Sequence, residues 1–187
     1  MMSWKNPNYT GQPFRRILVI GMSENPVVRL DFEDALSEKL TRDGIEAIPG
    51  HEILHRPDSP EVDLDYLKGQ ILDHKIDAMI VSRLVSIDQK TTLIPGHSYA
   101  VPYGYYGGFY GYYGTVYRQV YTPDYLREET TVRVETNLYS STPPNDDLVW
   151  VGHSSSFNPK NADKVIKELV KLVAKELEKQ AIISKSK

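Results

Sequence analysis

The stretch "RRILVIGMSENPVVRLDFEDALSEKL", residues 15–40, predicts a buried strand that leads directly into an amphipathic helix. Its apolar run ends at Gly21. Asn25 followed by Pro26 is typical of a helix start, because asparagine caps free backbone N–H groups and proline suits the first helical turn. The helical pattern ends before Gly44, which suits a left-handed stop. A strand, a turn and a helix in this order indicate the first unit of an α/β fold.

The remaining chain alternates in the same way and then changes character after a long insertion. Further strands are predicted at 45–49, 78–94, 130–141 and 148–157, and further helices at 62–76 and from Asn158 to Lys179. Helical crossovers make the first three strands parallel neighbours, and the last two strands add an antiparallel meander. We therefore predict an α/β fold with α+β character: one mixed five-stranded sheet, order β-α-β-α-β, insertion, β-β-α, with helices packed on the sheet.

The predicted domain organisation is simple. Residues 1–14, "MMSWKNPNYTGQPF", are polar and contain two prolines, so we expect a disordered lead-in. Residues 15–180 are predicted to form one α/β domain that carries a Tyr/Gly-rich insertion at 96–126, and 181–187 are predicted to be a tail.

Composition excludes several classes of function. The net charge of -3 and the pI of about 6.0 give no basic surface for nucleic acid. The absence of cysteine excludes disulfides and thiolate metal sites. The sequence contains no apolar run long enough for a membrane span. No motif indicates a cofactor.

The stretch at 15–40, together with "VRVETNLYSS" and "DDLVWVGHSSSFNP" before the last helix, resembles small lipoproteins of the bacterial envelope. The domain of that family is similar to the TolB amino-terminal and CsgG-like domains, and the resemblance covers about residues 15–180. It implies a scaffold or assembly factor that faces the periplasm, attached at the outer membrane by a lipid on an N-terminal cysteine. This chain has no cysteine, so we expect membrane attachment only through an anchor removed upstream. The resemblance implies no catalytic residue.

The string "HEILH", His51 to His55, matches the zinc-protease motif. That chemistry needs both histidines on one face of a helix. Pro49 and Pro57 restrict any helix here to about two turns. His51 and His55 are therefore weak metal candidates, and we favour a solvent-facing loop with its apolar side chains turned inward.

The string "GHSSS", residues 152–156, approaches the nucleophile elbow of hydrolases. Its fifth residue is serine rather than glycine, and no histidine follows Ser154 to complete a triad. We predict a strand end, with His153 on a face of the sheet. Neither this string nor "HEILH" indicates an enzyme.

The turn "VIGMSENP", residues 19–26, lies between a strand and a helix N-terminus. Such crevices bind anions when backbone N–H groups are free, so a small anion or a nucleotide is a second alternative function. The string lacks the additional glycines or the lysine of a nucleotide-binding loop, and a capped turn remains the simpler interpretation.

Four polar residues are predicted to share one face of the strands: Arg83, Arg133, Glu135 and His153. Opposite charges on neighbouring strands stabilise sheets, so we favour a cross-strand charge ladder. An acid–base pair of Glu135 and His153 is the alternative.

The stretch "YGYYGGFYGYYGTVY", residues 103–117, is the most unusual part of the sequence, because ten of the thirteen tyrosines lie between Tyr99 and Tyr125. Aromatic rings with a polar tip, on a glycine-rich backbone, are typical of interaction surfaces. The predicted surface consists of Tyr99, Tyr103, Tyr105, Tyr106, Phe109, Tyr110, Tyr112, Tyr113, Tyr117 and Tyr121. It would bind a protein partner or another copy of the chain, bind a glycan such as peptidoglycan or polysaccharide, or cover a sheet edge.

The predicted function is that of a non-enzymatic envelope protein, a scaffold or assembly factor that acts through this insertion. A glycan-binding module is the first alternative.

Overall fold

A computed structural model describes residues 1–54, 63–94, 125–141 and 148–184. The strands are β1 (Met2–Lys5), β2 (Arg16–Met22), β3 (Glu46–Pro49), β4 (Ala78–Ile94), β5 (Tyr125–Ser140) and β6 (Leu148–Phe157). The helices in this part of the chain are α1 (Pro26–Arg42), α2 (Gly50–Ile53), α3 (Leu64–Asp73) and α4 (Ala162–Lys179). The chain divides into two compact units, residues 1–88 with 131–187 and residues 89–130, and the side-chain contacts described below lie in the first.

The predicted α/β fold with one mixed sheet is confirmed, but the prediction of five strands is wrong. The sheet has six strands in the order β1-β6-β5-β4-β2-β3. β2 pairs in parallel with β3 and with β4, so that Ile17 lies opposite both Ala47 and Ala78. This is the arrangement expected for three strands joined by helical crossovers. β5 and β6 form the predicted antiparallel pair.

Helix α1 begins and ends where the sequence predicts. The Asn25 side chain accepts hydrogen bonds from the backbone N–H of Val27 and of Val28, at 3.0 and 3.3 Å. Pro26 occupies the first turn. After the helix, Gly44 has a φ of 88°, a left-handed conformation in which glycine carries no steric penalty.

The two faces of the sheet are covered unequally. Helices α1 and α4 pack on one face, where alternate residues of β2 and β4, such as Ile17 and Ile80, are fully buried. On the other face a smaller core around Leu18, Ile53 and Ile76 joins β2 to α2 and to the end of α3. This second core lies at the parallel half of the sheet, beside β2, β3 and the start of β4.

The sixth strand comes from the segment predicted to be a disordered lead-in. β1 pairs antiparallel with β6, with Met2 opposite His153 and Trp4 opposite Val151. Phe14 is buried, and its backbone N–H donates to Ile182 O at 2.9 Å. Disorder is therefore the wrong prediction for this segment. A four-residue strand has too few positions to show a period, and its partner is distant in sequence.

The predicted tail also contributes to the core. Ile182 and Ile183 are 0% and 2% exposed and join the larger core, although they follow the last helix. The other boundaries of the predicted domain, including the insertion at 96–126, stay predictions.

Candidate functional sites

One face of strands β4, β5, β6 and β1 carries no helix in the part of the chain that the structure describes. We call it the open sheet face; strand alternation, register and the Arg83–Glu135 contact assign to it Met2, Trp4, Arg83, Arg133, Glu135, Asn137, Val151, His153 and Phe157. Residues between them, such as Val134, Thr136 and Leu138, point into the larger core. Several of its apolar side chains are well exposed, with Met2 at 77% and Trp4 at 48%.

A row of polar contacts crosses the middle of the open sheet face. Met2 lies opposite His153, and His153 lies opposite Glu135. On the next strand, Arg83 Nε donates to Glu135 Oε1 at 2.9 Å. His153 Nδ1 lies 4.0 Å from Glu135 Oε2. The predicted charge ladder is thus confirmed for these side chains, whereas Arg133 pairs with Asp88 instead.

The hydrogen bond from Arg83 lowers the pKa of Glu135 below its ordinary value, with smaller contributions from the Arg83 charge, Asn137 and His153; partial burial opposes the shift. Glu135 is therefore ionised in the neutral range and holds the centre of the row as an acceptor. The Glu135 side chain is 18% exposed, so this ion pair is only partly shielded from solvent.

Replacing Arg83 with methionine is expected to lower the free energy of unfolding by about 0.5 kcal/mol at neutral pH, because the partner of a half-exposed ion pair is lost. Since the pKa of Glu135 is lowered on folding, its contribution is complete above the ordinary glutamate pKa of about 4.3 and disappears as the pH falls through the folded value. Urea unfolding of both proteins across this range measures the difference. Arg42→Met, which removes an exposed pair with Glu38, is the control. If the difference in free energy of unfolding between wild type and Arg83→Met grew toward acid pH, the lowered pKa of Glu135 would not be its cause.

A second site lies where β2 ends and α1 begins. A cavity of about 340 Å³ opens there, lined in the described residues by the end of β2, by Arg29 and Glu33 of α1, and by Gly50 and Leu54 beside α2. It coincides with the turn that the sequence suggested as an anion site. The carboxyl ends of parallel strands are the usual place for ligands in open α/β sheets.

Glu33 connects the elements that form the wall of this cavity, although no pattern in the sequence singles it out. The side chain is 1% exposed. Its Oε1 accepts the backbone N–H of Gly21 at 3.0 Å, and its Oε2 accepts the backbone N–H of His51 at 2.8 Å. His51 Nδ1 lies 2.9 Å from the same Oε2. One carboxylate thus connects the end of β2, helix α1 and helix α2, and we call this junction the Glu33 corner.

Gly50 fits this corner because it has no side chain. A Cβ there would lie 2.9 Å from the carbonyl oxygen of Val19, closer than real Cβ contacts allow. The backbone of α2 therefore approaches β2 more closely than any other residue would permit.

The "HEILH" string does not form the helical face that zinc chemistry needs. Helix α2 has only four residues, and His55 lies outside the described residues. The ring of His51 lies between two carboxylates, Glu33 and Asp34, with Nε2 at 3.3 Å from Asp34 Oδ1. It is 25% exposed, so the predicted solvent-facing loop is only half right: Ile53 turns inward as expected, and His51 does too. The described residues contain no group of three or more His, Asp or Glu that could hold a metal ion.

The "GHSSS" string lies within β6, which continues to Phe157. Ser154 is buried, and its Oγ donates to the backbone oxygen of Val134 on β5 at 3.4 Å. A serine inside a strand cannot occupy the sharp strand-to-helix turn of a nucleophile elbow. His153 is on the sheet face, as predicted.

The predicted tyrosine surface lies outside the described residues, from Tyr99 to Tyr121. Its role stays a prediction. The structure instead adds the open sheet face and the Glu33 corner, neither of which the sequence pattern assigned to a site.

These features define the class: a small mixed α/β protein with one helix-covered sheet face and, in the residues that the structure describes, a second face without a helix over four strands. No protein-family model and no curated protein matches the sequence. Solved structures similar to the chain include a PelC dodecamer from Paraburkholderia phytofirmans, 14% identical, with a TM-score of 0.45, covering 99% of each chain. Lipoprotein GNA1162 from Neisseria meningitidis is 15% identical, with a TM-score of 0.46, covering 88% of this chain and 99% of that chain.

A minor lipoprotein from Acinetobacter baumannii is 9% identical, with a TM-score of 0.37, covering 92% of this chain and 98% of that chain. Bacterial lipoproteins are thus among the similar solved structures, and the resemblance to CsgG-like domains stays a prediction. None of the helices in the described residues is both long and apolar enough to cross a membrane.

Proposed function

We propose that this protein is a non-enzymatic scaffold or assembly factor of the bacterial envelope that associates with copies of itself through the open sheet face. The observation that carries the proposal is the lack of any helix, among the described residues, over four neighbouring strands. Sheets normally bury a second face when it bears large apolar side chains. Large apolar side chains that are exposed together on one surface are typical of a protein interface.

Exposed apolar side chains of the open sheet face support this interpretation. Met2 and Trp4 lie on β1, and Phe157, which is 76% exposed, lies at the end of β6. Tryptophan and methionine are enriched at protein interfaces, because they bury much apolar area. Covering these side chains would stabilise an assembly by roughly 25 cal/mol for each Å² of apolar surface removed from water.

The charges of the open sheet face favour a second copy as the occupant. Arg83 is paired with Glu135, and Arg133 is paired with Asp88. Two identical surfaces that carry a net charge repel each other, whereas a surface whose charges are internally matched does not. Self-association therefore brings no repulsion between like net charges on this face.

The envelope location is part of the proposal and comes from the sequence resemblance to envelope lipoproteins. The tyrosine-rich segment from Tyr99 to Tyr121 is proposed to enlarge the same kind of protein-binding surface, in keeping with its composition. The "HEILH" and "GHSSS" strings contribute no chemistry to the proposal, because His51 contacts Glu33 and Ser154 donates to the backbone oxygen of Val134.

Light scattering after size exclusion tests the proposal. The wild-type chain is expected to form an oligomer, and the double variant Met2→Lys/Trp4→Lys a folded monomer, because two ammonium groups on each copy oppose the contact. The matched control is Leu72→Lys, which charges a 71% exposed leucine on α3 and should leave the oligomer unchanged. High salt is expected to preserve the wild-type oligomer.

A further variant, with residues 97–126 replaced by a short glycine linker, separates the two surfaces. A folded monomer from this variant, together with an unchanged oligomer from Met2→Lys/Trp4→Lys, would assign assembly to the tyrosine segment and contradict the role of the open sheet face. A monomeric wild type overturns self-association. Binding of that monomer to isolated peptidoglycan would then favour the glycan-binding alternative.

A further inference from the structure

We propose that the cavity at the end of β2 is a binding site for a small amphipathic carboxylate, whose carboxylate pairs with Arg29 and whose apolar body lies against the strand end. The site is distinct from the open sheet face, and the inference does not rest on the proposed function. A cavity of about 340 Å³ is large enough for a small ligand.

The apolar side of the cavity is built by side chains that do not fill it. Ile20 and Leu54 are partly buried against the smaller core, and Met22 is 57% exposed at the rim. Small-molecule sites are typically concave, largely apolar and furnished with few polar groups. This cavity has that composition, with one cation among its lining residues.

Arg29 supplies that cation without being used elsewhere. Its Nε is shielded from solvent and has no hydrogen-bond partner in the described residues, and no carboxylate there lies within ion-pair distance of the guanidinium. Because Nε is shielded, a ligand oxygen would meet the outer nitrogens of the guanidinium, and hydrogen bonds between charged groups are about twice as strong as neutral ones. The planar guanidinium matches a carboxylate with two parallel hydrogen bonds.

The acidic residues at the cavity do not compete for this role. Both oxygens of Glu33 already have hydrogen-bond partners, Gly21 and His51, and neither oxygen pairs with Arg29. Glu24 is exposed at the outer rim. The amides of Val27 and Val28 in the first turn of α1 are occupied by Asn25, which leaves Arg29 as the group that recognises an anion.

The test compares hexanoate with hexanol and hexylamine, three probes of equal chain length that differ in the head group. Amide chemical shifts of Gly21 and Gly50 in the folded, full chain report binding. We expect hexanoate to bind with a Kd of about 1 mM, ordinary for about eight non-hydrogen atoms. Hexanol and hexylamine are expected to bind at least about tenfold more weakly, because neither satisfies the guanidinium.

Arg29→Met keeps the side-chain stem and removes the charge, and we expect it to weaken hexanoate binding by about tenfold or more. Arg29→Lys, which keeps the charge, is expected to lose less. The matched control is Arg42→Met on the same helix, an arginine paired with Glu38 that does not line the cavity. The amide spectrum of each variant also verifies its fold.

Three results would overturn the proposal: no shift at either glycine with hexanoate at about ten times the expected Kd, equal binding of hexanoate and hexanol, or hexanoate binding that survives Arg29→Met. Preferential binding of hexylamine would show that Glu24 and Glu33 dominate the cavity and would likewise exclude a carboxylate ligand.

Discussion

Replacing Trp150 with alanine is expected to lower the free energy of unfolding by about 4 kcal/mol. The side chain is fully buried in the larger core, where it lies opposite Leu138 in the sheet register. Alanine removes that apolar area and leaves a cavity that the surrounding core cannot fill. Urea unfolding followed by circular dichroism measures the loss.

The chain contains its own control for this change. Trp4 is the other of its two tryptophans, and it lies half-exposed on the open sheet face. In the monomer, Trp4→Ala is expected to lower the free energy of unfolding by less than about 1 kcal/mol, because little of its area is buried within the chain. Equal effects of the two substitutions would contradict the position of Trp150 in the core.

Gly152 explains why the ring of Trp150 fits. A Cβ on Gly152 would lie 2.3 Å from Trp150 Cη2, so the missing side chain provides the space that the indole occupies. Gly152, the first residue of the "GHSSS" string, therefore matters for packing rather than for chemistry.

Glu33→Ala is expected to lower the free energy of unfolding by about 3 kcal/mol. The substitution leaves the buried backbone N–H of Gly21 and that of His51 without their acceptor, and each orphaned donor costs about 1–3 kcal/mol. Chemical denaturation gives the magnitude. Amide hydrogen exchange at Gly21 and His51 locates it, since both amides should lose protection before the rest of the sheet.

Glu38→Ala on the same helix is the matched control, because Glu38 is 71% exposed and pairs only with Arg42 at the surface among the described residues. Its expected cost is below about 0.5 kcal/mol. If Glu33→Ala were as mild as this control, Glu33 would not be the residue that joins β2 to α2. Glu33→Gln, which keeps one acceptor oxygen, is expected to fall between the two.

The features that were predicted correctly are those written in neighbouring residues. The cap at Asn25 and the stop at Gly44 depend on residues within one turn of the helix, and the sequence displays them directly. Alternation placed Glu135 and His153 on one face, because the period of a strand is two. Fold class followed from the order of such elements.

The errors and omissions share a different cause. Glu33 lies on the same helix face as apolar core residues, where a carboxylate interrupts the apolar pattern. Only the backbone N–H groups of Gly21 and His51, which donate to it, explain its burial. β1 was missed because its partner β6 lies at the far end of the sequence. Local pattern carries no information about such a partner.

By itself, the sequence determined the α/β class, the order of the main strands and helices, and the two ends of α1, because propensity, capping and periodicity act over a few residues. The last helix, predicted from Asn158, is instead capped by Asn161 and begins at Ala162. The tertiary structure alone decided the sixth strand, the buried Glu33 corner, the cavity beside Arg29 and the open sheet face. Each of these depends on which distant residues become neighbours when the sheet assembles, and burial and hydrogen-bond satisfaction in three dimensions select those neighbours.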